Sequence, residues 1–185
     1  MMENNMKYIF FGTPEFATII LEKLIKSGYK PIAVFRDPKE SIPVLIEKLE
    51  YLKPDLAIIA AYGKILPKEI LDIPLHGFIN VHPSLLPKYR GASPIQYAIL
   101  NGDKETGVTI MEIDEKMDHG KIISNIKSKI SNLDTYETLS KKLAELGAEL
   151  LIKTIPNYVS GKIKPREQEH KKVTYTKIIK KEDGK

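Results

Sequence analysis

The run Phe78-Ile79-Asn80-Val81-His82, stopped by Pro83, constrains the fold more than any other stretch of the chain. In an extended strand alternate side chains share a face, so Asn80 and His82 project side by side while Ile79 and Val81 face the other way. One strand end thus carries an amide donor and an imidazole. Residues Pro83 to Pro87 cannot continue a regular sheet, because proline has no backbone donor, and the chain must leave the sheet there. Strand ends that open into irregular loops are where α/β folds place their chemistry.

The flanking sequence supplies the rest of such a fold. Lys7 to Phe11 reads as a buried strand turned by Gly12. A helix follows, with Thr13 as cap, Pro14 in its first turn, Phe16, Ile19, Ile20 and Leu24 at helical spacing, and Gly28 as its stop. Pro31 to Phe35 and Asp55 to Ala61 read as further strands, with an amphipathic helix over Val44 to Leu52 between them. Ser93, Pro94 and Gln96 form a capping-box signal for the next helix, which ends near Asn101-Gly102. Val108 to Ile113 and Lys121 to Ile130 are strands, the second near an edge because of its lysines. Asp134 and Glu137 open the longest helix, with Leu139, Leu143, Leu146 and Leu150 as its apolar stripe. Alternating strands and helices with few hairpin signals predict an α/β fold: a Rossmann-like, mostly parallel sheet with helices on both faces. The loops at Gly12, Tyr62, His82 and Asp118 follow strands, so they are expected to converge on one rim. With one glycine at the first turn, the dinucleotide fingerprint is missing and no NAD is expected.

At 185 residues, 42% of them apolar and 29% charged, the chain fits one ordinary globular domain. It has no cysteine, hence no disulfide framework and no thiolate metal site. No apolar run reaches the roughly 18 residues of a membrane span, and MMENNMKYIF has no signal-peptide pattern, so a cytoplasmic location is expected. The net charge of +5 is concentrated after Ser160, where nine Lys or Arg face four Asp or Glu. Such a tail reads either as a solvated end or as an arm that contacts nucleic-acid phosphates.

The stretch INVHPSLLPKYRG, Ile79 to Gly91, continued by GASPIQYAILNGDKETGVTIMEIDEKMDHG to Gly120, resembles the folate-dependent formyltransferases. FFGTPEFA (Phe10 to Ala17) and AAYGKILPKEIL (Ala60 to Leu71) extend the resemblance over nearly the whole chain. Separate segments agree in order and spacing, which a single short motif would not offer. Within the family the wording of Val108 to Gly120 is nearest the branch that formylates methionyl initiator tRNA for translation initiation. The resemblance implies the family's N-terminal catalytic fold over residues 1–159, with 160–185 as a basic, linker-like tail. It also implies 10-formyltetrahydrofolate as co-substrate, initiator methionyl-tRNA as partner and no metal; a monomer is expected. Asn80, His82 and Asp118 stand at the family's catalytic positions. Tyr62, Gly63, Lys64 and Leu66, with Ser84, Leu85, Leu86 and Pro87, stand in its folate-binding stretches. Gly12, Phe16, Lys88 and Arg90 are the candidates for contact with substrate. Two departures bear on the acceptor. Only RDPKES separates the second strand from the next helix, where family members carry a long basic loop, and the sequence ends at KEDGK, where they continue into a C-terminal barrel. Both would also suit a small amine acceptor, such as an amino sugar nucleotide or glycinamide ribonucleotide.

Formyl transfer needs one negative charge stabilised and one proton moved. Asn80 can donate to a developing oxyanion, and His82 can accept a proton or, once charged, support that oxyanion. Asp118 can fix the imidazole tautomer, stabilise its cation or hold a relaying water. Singly, each has a plainer use: Asn80 in a loop cap, His82 as a satisfied buried histidine, Asp118 in an Asx-turn. A metal site from His82, Asp118 and His119 has no supporting ligand pattern. A Ser84 nucleophile has no surrounding elbow motif. A folate- or RNA-binding protein without catalysis would not require Asp118.

Overall fold

The computed structural model describes residues 6–184. Its sheet has six strands in the order β2-β1-β3-β4-β6-β7. β1 (Tyr8–Phe11), β2 (Ala33–Phe35), β3 (Leu56–Ile59) and β4 (Phe78–His82) are parallel. β6 (Glu105–Glu112) runs antiparallel to β4, and β7 (Ile122–Lys129) antiparallel to β6. The sheet is therefore mostly parallel, with an antiparallel pair on one side. β1 and β3 are buried throughout, as strands covered on both faces must be.

The two faces are covered differently. Tyr8, Phe10, Leu56, Ile58, Ile79, Val81, Val108 and Ile110 pack under α1 (Glu15–Lys26) and α5 (Tyr136–Val159), and α4 (Pro94–Leu100) adds Ile95 to this layer. On the other face Ile9, Phe11, Ala57, Ile59 and Phe78 pack against α2 (Ile42–Leu52) and α3 (Lys68–Leu71). Phe11 is central there, stacked on Phe35 at 4.5 Å and edge-on to Tyr62 at 5.1 Å. Over the β4–β6 part of that second face, loops replace helices.

Three helix starts differ from expectation. Pro14, not Thr13, is the cap of α1, because the Thr13 hydroxyl donates to Arg36 O across the first turn. Ser93 caps α4 without a side-chain bond, so no capping box forms with Gln96; its own N–H donates to Thr176 Oγ1 of the tail. In α5 the box is Thr135 with Thr138, and Asp134 instead accepts from Ser131 N. The apolar stripe of α5 is also rotated. Leu139 and Leu143 continue into Gly147 and Leu151, with Ala144 and Ala148 alongside, while Leu146 and Leu150 are only half-buried.

Residues after Ser160 do not trail away as a linker. Arg166 forms a bridge with Ile122, and β8 (Tyr175–Thr176) pairs in parallel with β5 (Arg90–Gly91), a short strand in the loop beyond β4. Gln168 and Thr176 are buried by this docking.

Candidate active site

Strand pleating delivers Asn80 and His82 to the loop-covered face, opposite Met111 and Thr109 of β6. Gly12 and Tyr62 end parallel strands, so they lie at the rim where β4 ends. Asp118 reaches this rim by another route than the expected one. Because β6 is antiparallel, its own end lies beside the start of β4, and the segment 113–121 must fold back along the sheet. Gly120 permits the return, for a Cβ there would meet Glu112 O at 1.9 Å.

His82 is buried and held from two sides. Its Nε2 lies 2.9 Å from Tyr89 O, and its Nδ1 3.6 Å from Asp118 Oδ1. A carbonyl oxygen only accepts, so Nε2 carries a proton, and in the neutral imidazole the lone pair is then on Nδ1. A proton taken up at Nδ1 would sit beside the Asp118 carboxylate. That carboxylate is fixed through Oδ2, which accepts from Gly91 N at 2.7 Å. Tyr89 and Asp118 both have left-handed backbone, at φ 64° and φ 48°. Non-glycine residues adopt that region at a cost, and it recurs where surroundings hold a functional group in place. Asn80 is half-buried, and no side-chain hydrogen bond among the described residues uses its amide.

The loop after β4 is pinned by Thr109, whose hydroxyl donates to Ser84 O at 2.7 Å and accepts from Leu86 N at 3.1 Å. Ser84 is fully buried and donates to Lys88 O at 2.6 Å, so its hydroxyl is a loop tie. Leu86 packs on Met111 and Ile122, Leu85 and Pro87 are half-buried, and the Leu86–Pro87 peptide is cis. The strand-end loop of Tyr62, Gly63, Lys64 and Leu66 is tied to the short turn after β2. Tyr62 OH donates to Asp37 O at 2.8 Å, Lys64 Nζ donates to Glu40 O, and Leu66 is buried. Gly63 takes φ 76°.

The structure separates the four candidates for substrate contact. Gly12 stands at the rim, so tight against Ala60 O that a Cβ would approach it to 2.7 Å. Phe16 is instead a core residue of α1, on the far face of the sheet from Asn80 and His82, as its helical spacing with Ile20 allows. Lys88 is exposed and bonded to Asp103 Oδ2 at 2.7 Å, with its ammonium 4.6 Å from the Tyr89 ring centre. Partial burial works against that charge, but the bonds to Asp103 and Tyr89 outweigh it and hold the ammonium above the usual lysine range. Arg90 is turned inward at 2% exposure, its Nε and Nη2 donating to Gln168 Oε1 and its Nη2 lying 3.2 Å from His170 Nδ1. His170 in turn stacks on His119, whose Nδ1 is 2.6 Å from Asp114 Oδ2. No group of three or more metal-ligating side chains occurs among the described residues. No helix there is long and apolar enough to cross a membrane.

Tyr89, Thr109 and Gln168 complete this arrangement without having stood out in the sequence. Thr109 had a faint signal, a hydroxyl inside an apolar strand. A cavity of about 360 Å³ at the opposite end of β4, bordered by Lys68, His76, Phe78, Glu112 and Tyr158, contains none of these groups.

Residues 33–155 match the family described as formyl transferase. The chain belongs to that family. Methionyl-tRNA formyltransferase of Thermodesulfovibrio yellowstonii is 46% identical to it over 207 aligned positions, covering 96% of this chain and 67% of the relative. The enzyme of the same name from Bacillus velezensis is 44% identical, covering 95% and 65%. The chain thus spans about two thirds of the length of these curated relatives. Since 207 aligned positions exceed the 185 residues present, the relatives also carry internal segments that this chain lacks. HypX from Aquifex aeolicus, solved in complex with tetrahydrofolic acid, superposes with a TM-score of 0.83 over 96% of this chain and 30% of its own, at 20% identity. That likeness is one of fold.

Proposed function

We propose that this chain transfers the formyl group of 10-formyltetrahydrofolate to the α-amino group of methionyl initiator tRNA, in the cytoplasm. The observation that carries the chemistry is the His82 imidazole, its Nε2 bonded to Tyr89 O and its Nδ1 facing Asp118, on the same strand face as Asn80. The amine lone pair attacks the formyl carbon, a C–N bond forms, and the carbonyl π electrons move to oxygen. Asn80 donates to that oxygen. The attacking nitrogen loses a proton, which Nδ1 of His82 can accept while Asp118 stabilises the cation. Collapse then breaks the bond from the formyl carbon to N10 of the folate, and N10 takes a proton as tetrahydrofolate leaves. The loops of Tyr62, Gly63, Lys64 and Leu66 and of Ser84 to Pro87 flank this rim and are the proposed folate contacts. Lys88 is the exposed cation proposed to meet anionic substrate. The names of the relatives at 46% and 44% identity support the tRNA acceptor.

A small amine acceptor is the second reading, favoured by the short Arg36–Ser41 connection and by the internal segments the relatives have and this chain lacks. The test offers labelled 10-formyltetrahydrofolate in parallel with initiator methionyl-tRNA, elongator methionyl-tRNA and small amines, with His82→Ala as control. Selective labelling of the initiator, lost in the control, is expected. Labelling of a small amine alone would move the chain to the second reading, and no transfer to any acceptor would refute both.

A further inference from the structure

Asp118 is held at both ends, by a different neighbour at each. Its carboxylate accepts from Gly91 N at 2.7 Å, and its backbone oxygen accepts from Gln168 Nε2 at 2.8 Å. The same Nε2 donates to Gly120 O at 2.8 Å, while Gln168 Oε1 accepts from Arg90 Nε and Nη2 at 3.1 and 2.7 Å. Gln168, Arg90, Gly91 and Asp118 thus close a ring beside His82. The orientation of the Gln168 amide follows from its partners. A guanidinium offers only donors and the two carbonyls only acceptors, so oxygen must face Arg90 and nitrogen must face the Asp118 loop. At 3% exposure no water can readily substitute for either set of bonds. Asp118 needs such a hold, because its left-handed backbone is unfavourable for a residue with a Cβ, and its loop starts at the far end of β4.

We infer that Gln168 is a positioning residue for formyl transfer, which fixes the Asp118 carboxylate at His82 by binding the backbone of the Asp118 loop and the Arg90 side chain at once. The inference rests on the function proposed above. It also explains the docked tail: residues after Ser160 bring this amide into the site.

Gln168→Glu separates the two sides of the ring. A carboxylate still accepts from Arg90, so the tail stays docked, but it presents oxygen to the Asp118 and Gly120 carbonyls and loses both of those bonds. In the full chain, Q168E should lower kcat roughly 10- to 100-fold, as expected for a displaced reacting group, with KM for 10-formyltetrahydrofolate within about twofold. In an Asp118→Ala background the same change should cost nothing further. Amide hydrogen exchange reads the geometry without activity. The Gly91 N–H should exchange at least about tenfold faster in Q168E, and the Arg90 N–H, which donates to Thr174 O, should be unchanged. Unchanged kcat with Gly91 still protected would overturn the inference. So would a loss of kcat that persists in the D118A background, or equal loosening at Gly91 and Arg90, which would mark a merely structural tail. If Q168E does not fold, Gln168→Met is read at the same amides, with fast Gly91 exchange expected and a protected Gly91 overturning the inference. An inactive parent protein would refute the proposed function alone, since Gly91 exchange would still decide the positioning.

Discussion

At the scale of single residues, the site divides labour between groups that meet the reacting atoms and groups that aim them. Asn80 belongs to the first kind. Asn80→Ala removes a donor to the developing oxyanion and should lower kcat about 100- to 1000-fold with little change in the folate KM, measured by steady-state formyl transfer. Asn80→Asp, equal in size but charged, should be no better than Ala, because it sets like charge against the oxyanion. Thr109 belongs to the second kind. Thr109→Val keeps the volume but strands Ser84 O and Leu86 N, each a buried group worth about 1–3 kcal/mol when unpaired. Urea denaturation should show a destabilisation of that order. Asn80 and His82 were legible in sequence because a period of two fixes their shared face whatever the strand pairs with. The Asp118 approach was not, since it depends on β6 being antiparallel and on a loop that turns back over the sheet. Arg90, expected as a contact for substrate, turns inward instead; its partner Gln168 lies 78 residues away in a segment whose composition is that of a solvated tail.

At the scale of elements, the sequence pattern located helices and strands better than it located their faces. Leu139, Leu143, Leu146 and Leu150 repeat as a narrow stripe, but α5 lies on a sheet, and the closest approach goes to the small residues between them. Gly147 sits where a Cβ would come 2.8 Å from Val81 Cγ1 and 3.4 Å from Val108 Cγ1. Two effects therefore oppose each other on substitution. A branched residue recovers only part of the helical cost of glycine, which is about 1 kcal/mol relative to alanine, but overpacks a filled layer at about 1–3 kcal/mol. Gly147→Val should be net destabilising. Because Val81 stands between Asn80 and His82 on β4, the displacement should also reduce kcat, whereas an exposed change on α5 such as Lys141→Ala should leave both unchanged. Thermal unfolding and the formyl-transfer assay on the two variants check this. The Thr13 cap and the Ser93–Gln96 box do not form for a related reason: the Thr13 hydroxyl and the Ser93 backbone N–H find Arg36 O and Thr176 Oγ1, long-range partners that local sequence does not contain.

At the scale of the whole molecule, stability and pH are linked through buried phenols on both sides of the sheet. Tyr8 donates to Tyr29 O at 2.8 Å, and burial pushes its phenol up. Tyr158 on α5 lies near Glu112 Oε1, at 3.1 Å, and His76 O, at 3.2 Å; burial and then the Glu112 charge push it up as well. Tyr62 is raised by burial, then by Glu40 and Asp37. In each case the folded state resists a proton loss that the unfolded chain allows near pH 10. The unfolded chain therefore binds fewer protons above that pH, and stability, fully present below it, falls as pH rises toward the folded values. The urea midpoint should thus hold level up to about pH 10 and then decline. Tyr158→Phe should begin lower at pH 8, by about 0.5–1.5 kcal/mol for the lost hydrogen bonding, yet decline less steeply above pH 10 because one raised phenol is gone. Absorbance at alkaline pH supplies the independent check. The Tyr8 and Tyr158 contribution should appear only together with unfolding. Equal alkaline slopes for Tyr158→Phe and its parent would mean that this phenol does not carry the linkage, and that the fall in stability comes from the loss of lysine charges instead.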